Sequence, residues 1–150
     1  MKNILVGLLV LSFLLSSCGN ATPTISKGVV EVLAPFANEA GAGENTAAFM
    51  SIKNSGAEAD TLLKASCDAA MMVQVMETKI ENDVMSMGEV SGIDLPAGNT
   101  VELKSGSYHI MLMDLKQELK VGSTISITLE FAKAGKITLD VPVKAIGNMP

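Results

Sequence analysis

The sequence predicts an all-β domain, an antiparallel Greek-key β-sandwich or barrel. Three observations predict it. No stretch after residue 28 sustains a long 3.6-residue apolar period. Short runs rich in β-branched residues recur instead. Turn-forming residues separate those runs at spacings of roughly 8–14 residues, the rhythm of a sandwich or barrel.

Nine runs carry the pattern. The first is 29–33. Residues 47–52 follow the Gly-rich loop 40–45, and 61–66 precede a small-residue segment around Asp68. Residues 73–79 and 84–89 flank Ile80-Glu81-Asn82-Asp83. Residues 100–103 follow the turn Pro96-Ala97-Gly98-Asn99, and 108–112 follow Ser105-Gly106-Ser107. The last two runs, 124–131 and 136–143, flank Ala134-Gly135. Residues 114–118 (DLKQE) read as a short turn or a helical loop. The body, residues 28–150, shows no internal repeat or linker and is large enough to bury one core.

The chain ahead of this body has a different character. Met1-Lys2-Asn3 is a short positive start, and residues 4–15 are an apolar run. That run is too short to span a bilayer as a helix and has the length of a secretory signal. Leu15-Ser16-Ser17-Cys18 resembles a bacterial lipobox. Such a signal implies removal of residues 1–17 and a diacylglycerol on the Cys18 thiol. Residues 18–27 then read as the lipidated Cys and a flexible, small-residue tether. Each buried CH₂ of an acyl chain is worth about 0.8 kcal/mol, so several chains hold a protein firmly. The expected location is extracytoplasmic, anchored to a membrane on its periplasmic side.

Cys67 is then the remaining thiol. It has no intramolecular disulfide partner, and the absence of CxxC argues against thioredoxin-like chemistry. It reads either as a small buried hydrophobe or as a thiol beside a soft-metal site.

Composition narrows the function further. The chain of 150 residues has a net charge of -5, and its eleven basic residues are all Lys. Nucleic-acid binding, which needs a basic footprint and usually Arg forks, does not fit. One His excludes a multi-His zinc or iron site. No Trp and one Tyr leave little for stacking platforms. The excess is in ten Met.

Some of these Met fall at ordered spacings. With Ile80-Glu81-Asn82-Asp83 as a loop, Lys79 faces Val84 and Met76 lies directly opposite Met87. Directly opposed Cβ atoms sit about 4.5–5.5 Å apart. Met85 shares that face, opposite Thr78. Further on, alternation puts His109, Met111 and Met113 on one face. Tyr108, Ile110 and Leu112 point the other way and are the core candidates. If the two Met faces meet, three thioethers and one imidazole converge. Thioether sulfur is soft and suits Cu(I). Zinc prefers thiolate, imidazole and carboxylate, and calcium and magnesium require oxygen. Thioethers do not titrate, so protons compete with the metal only at the imidazole. The rival reading is that Met is a flexible core filler. Met50, Met71, Met72 and Met149 read as packing or surface residues.

The spacing of the whole body resembles that of a known family, the periplasmic Cu(I) chaperones called PCuAC. Their signature is a His or Met, ten residues, a Met, twenty-one residues, then His-x-Met. This chain has Met76, ten residues to Met87, twenty-one to His109, then Met111. The flanking segments AAFMSIKNSGAEADTLL and GIDLPAGNTVELKSGSYHIMLMDLKQELKVG, and a final strand ending in VPV, are similar too. The resemblance covers roughly residues 28 to 143 and implies a cupredoxin-like β-sandwich. It implies Met76, Met87, His109 and Met111 as copper ligands. It departs from the family at Met76, where most members carry His. Either Met76 ligates and biases the site further towards Cu(I), or Met87, His109 and Met111 remain, with Met113 or Met85 as auxiliary ligands.

Two functions are compatible with these residues. The first is a membrane-tethered copper(I) metallochaperone, expected to be a monomer and not an enzyme. By resemblance its copper-acceptor partner is a haem-copper oxidase copper centre or its assembly factors. The second is a structural or adhesive β-sandwich lipoprotein without a metal site.

Overall fold

Alternating apolar positions in short runs produce strands, and the computed structural model, which describes residues 24–82 and 84–147, contains eleven. They are β1 (Thr24–Lys27), β2 (Val30–Asn38), β3 (Thr46–Asn54), β4 (Asp60–Cys67), β5 (Ala70–Glu81) and β6 (Val84–Glu89). Then come β7 (Ile93–Leu95), β8 (Thr100–Leu103), β9 (Tyr108–Leu115), β10 (Thr124–Phe131) and β11 (Gly135–Lys144). No helix occurs among the described residues.

The strands form one hydrogen-bonded order, β6-β5-β9-β3-β2-β11-β10-β4-β7, with β1 added to β2 and β8 to β3. Every pairing is antiparallel except a short parallel contact of β11 with β2. Strand β9 lies between β5 and β3, so neighbours in space are not always neighbours in sequence. That is the Greek-key habit rather than a meander.

The sheet wraps around one core. Val32, Ile52, Ile110 and Leu112 from the β5-β9-β3-β2 half pack in the same buried cluster as Leu62, Ile127, Leu129 and Val141 from the β11-β10-β4 half. Burying each such side chain stabilises the fold by about 1.5–3 kcal/mol. Ile110 and Leu112, expected in the core, are fully buried, and Tyr108 packs partly against it.

All nine expected runs are strands, and two more were missed. Strand β7 has only three residues, yet Ile93 and Leu95 are buried where it pairs with β4. Strand β1 corrects the expected tether. Thr24–Lys27 pairs with Val30–Leu33, and Ile25 packs against the core. The extended, β-compatible sequence TISK thus adds a short strand to the sheet. The expected signal, residues 1–17, with Cys18 and the start of the tether, lies outside the described residues. The DLKQE segment is also different: β9 runs on to Leu115, and the chain then bends to a bridge between Leu119 and Ala40.

Asp60 fastens one end of the sandwich. Burial opposes its charge, but the backbone N–H groups of Ala134, Thr61 and Lys133 donate to its carboxylate at 2.9, 2.8 and 2.8 Å. The net effect holds its carboxyl below the usual range. Asp60→Asn turns an amide N–H towards one of these donors. We expect a loss of about 1–3 kcal/mol in denaturant unfolding at pH 7. A lowered folded-state value contributes stability above the unfolded value and loses it as pH falls through the folded one. The difference between wild type and variant should therefore shrink below about pH 4.

Candidate metal centre

Strands β5, β6 and β9 carry every Met and His singled out as a ligand. Strand β5 pairs with β9 in one register, with Met76 opposite His109, Gln74 opposite Met111 and Met72 opposite Met113. Directly paired residues project from the same face. Val75, Ile110 and Leu112, in alternation with them, project into the core.

The hairpin of β5 and β6 differs from the expected one. Glu81 pairs with Val84, so the connection has two residues rather than four. Asn82, at φ 52, supplies the left-handed backbone that such a tight connection needs and that Asn tolerates well. Met76 consequently pairs with Glu89, Met87 with Thr78, and Met85 with Ile80. Met76 and Met87 are therefore diagonal neighbours, not directly opposed. The two-residue change preserves parity, so both remain on the expected face. What the sequence reading lacked was the direct partner of Met76, which is His109.

The structure thus brings Met76, Met87, His109 and Met111 to one face of three adjacent strands, and places Met85 and Met113 on the same face. Met76, Met111 and Met113 are half-buried, whereas Met87 and Met85 are exposed. Strand β6 is the edge of the sheet, so Met87 stands at the rim of the group. Of the other Met, Met50 is buried in the core, and Met71 and Met72 are exposed. Met149 lies outside the described residues.

His109 is only 4 % exposed, and its ring is oriented. Nδ1 lies 3.1 Å from the Ser107 carbonyl, which can only accept, so Nδ1 carries the proton and donates. The same carbonyl accepts the Thr78 N–H at 3.0 Å, tying the ring to the strand ladder. Nε2 has no hydrogen-bond partner among the described residues, yet no buried side-chain nitrogen or oxygen is left unpaired there. Nε2 is therefore the nitrogen that keeps its lone pair. A ring held through one nitrogen to present the other is how protein imidazoles bind metals.

The remaining polar groups on this face are Thr78, which is buried, and Gln74 and Glu89. Gln74 Nε2 donates to Glu89 Oε2 at 2.8 Å, so the carboxylate beside Met76 is already engaged. Neither residue was singled out from sequence, and the Ser107 carbonyl could not be, because its aim depends on the turn before β9. Among the described residues no group of three or more His, Cys, Asp or Glu is placed to hold a metal ion. What the face offers is thioether sulfur with one imidazole.

Cys67 does not join this group. It ends β4 in the other half of the sheet and is partly buried against the core. Burial pushes its thiol up, away from the thiolate that binds metals. Ala70, at the start of β5, is six residues from Met76, about 20 Å along a strand.

Comparisons with known proteins give the family and the fold. The sequence model of a family described as "Putative lipoprotein LpqE-like" matches residues 25–143. A Leifsonia xyli protein named "Putative lipoprotein Lxx21020" is 40% identical over 124 residues, covering 82% of this chain and 74% of that protein. An uncharacterized Rickettsia prowazekii protein, RP573, is 31% identical over 121 residues, covering 76% and 67%. Among solved structures, the copper-bound PCuAC domain from PmoF2 superposes with a TM-score of 0.69 at 25% identity, covering 82% of this chain and 98% of that one. The Cu(I) form of DR1885 from Deinococcus radiodurans gives 0.61 at 27% identity, covering 87% and 85%. The apo PCuAC domain from PmoF1 shares the fold, with a TM-score of 0.72 at 23% identity and coverage of 82% and 99%.

The ring geometry has a direct spectroscopic consequence. In the metal-free protein, at a pH where the imidazole is neutral, ¹⁵N NMR should show His109 as the Nδ1–H tautomer. A dominant Nε2–H tautomer would contradict the orientation described.

Proposed function

The chain belongs to the LpqE-like family and has the fold of PCuAC domains, and from that premise we propose that it is a membrane-tethered, extracytoplasmic Cu(I) chaperone. The carrying observation is the direct pairing of Met76 with His109, with Met111 and Met87 on the same face. Similarity to copper-bound PCuAC and Cu(I)-DR1885 supports the choice of metal.

In this reading Met76, Met87, His109 Nε2 and Met111 are the Cu(I) ligands. Met76 takes the place of the family's more usual His and makes the donor set softer still. All four donors are neutral, so releasing Cu(I) leaves no buried charge behind. Met87 stands 56 % exposed on the edge strand, which suits it to be the first ligand replaced by an acceptor. Transfer then proceeds by exchange of one thioether at a time, without opening the sandwich. Nothing in this carrier function requires catalysis. The acceptor is a copper-binding protein at the same membrane, and the PCuAC resemblance points to a haem-copper oxidase copper centre or its assembly factors.

The lipid on Cys18 confines the carrier to the membrane surface and raises its effective concentration there. Kinship with proteins named as lipoproteins supports this. Cys18→Ser should move the protein from the membrane to the soluble fraction on cell fractionation, and membrane retention equal to wild type would contradict the anchor.

Anaerobic competition against a chromophoric Cu(I) chelator tests the site. We expect one tight Cu(I) ion, with Met87→Leu plus Met111→Leu weakening it by at least about tenfold, or 1.4 kcal/mol. Unchanged affinity in the double variant would reject these ligands. No stoichiometric Cu(I) at all would favour a structural or adhesive lipoprotein.

A further inference from the structure

The proposed centre does not use all the thioethers on its face. Met72 and Met113 are directly paired across β5 and β9, four residues along from the Met76–His109 pair. Directly opposed Cβ atoms lie about 4.5–5.5 Å apart, close enough for two flexible thioethers to reach one ion. The separation between the two pairs is about 13 Å, too far for one ion to use both. Met111, opposite Gln74, falls midway, about 7 Å along the strand from either pair.

Packing does not account for this second pair. Met72 is 54 % exposed and Met113 is half-exposed, and neither belongs to the buried core cluster. The described positions sharing this face on β5, β6 and β9 include no Lys, so no cation opposes a metal there.

We propose that Met72 and Met113 form a second, weaker Cu(I) site, with Met111 as a donor that either centre can recruit. This rests on the reading of the face as a soft-metal surface. The second site lacks an imidazole and is more solvated than the first, which makes it weaker. Its two fixed donors are neutral thioethers, which makes it selective for soft monovalent ions. A carrier built this way holds one ion at Met76, Met87 and His109 and takes a second when copper is abundant, with Met111 linking the two along one strand.

The test is titration of the full chain, ¹³C-labelled at the Met methyls, with Ag(I) as a redox-inert stand-in for Cu(I). The first equivalent should shift the methyls of Met76, Met87 and Met111 and the His109 ring signals. The second should shift Met72 and Met113, with an affinity at least about tenfold lower. Met71, on the opposite face of β5, is the internal control. Met72→Leu should reduce the stoichiometry from two ions to one and leave the first-ion affinity within about twofold. Retention of two ions by that variant, or Met72 and Met113 signals that stay still in wild type, overturns the second site. Silent Met76, Met87 and His109 signals would instead count against the copper-carrier reading, so the two failures are distinguishable.

Discussion

Strand β5 lies against β9 in a single register from Ala70–Leu115 to Glu77–Tyr108, and the proposed centre depends on that pairing. Side chains on a strand alternate between faces, so a slip of one residue would exchange every inward and outward position. Val75, Ile110 and Leu112 would leave the core, at about 1.5–3 kcal/mol for each fully buried side chain. Their burial fixes the register, and the register in turn sets Met76 opposite His109. The same hydrophobic constraint that holds the sandwich together therefore aligns the donors, although the donors themselves contribute little to the core.

The second constraint is electronic. The Ser107 carbonyl selects the tautomer of His109 and leaves Nε2 as the available nitrogen. Gln74 donates a hydrogen bond to Glu89, the carboxylate paired with Met76, and orients it. Thioethers cannot be protonated and carry no charge, so the group suits a soft monovalent ion that must later be given up. Its place beside the edge strand β6 gives an incoming ligand access.

Much of this was legible in the sequence, for physical reasons that differ by element. The period-2 pattern of residues 108–113 separates His109 and Met111 from Ile110 and Leu112 before any fold is known. The hairpin of β5 and β6 was legible in face but not in register. The sequence predicts a four-residue loop, whereas Asn82 adopts a left-handed conformation and the connection has two residues. Because the change is an even number of positions, Met76 and Met87 still share a face. The pairing of Met76 with His109 is a tertiary fact, encoded in no local pattern. Strands β1 and β7 were too short to announce themselves, and their identity is decided by the neighbours they pair with.

The central claim is that one imidazole and several thioethers on the β6-β5-β9 face make a Cu(I) centre. X-ray absorption on the Cu(I)-loaded chain measures that donor set directly. The account predicts a sulfur-dominated first shell with a single imidazole nitrogen, and loss of the imidazole scattering in His109→Ala. A first shell of oxygen and nitrogen without sulfur would contradict it.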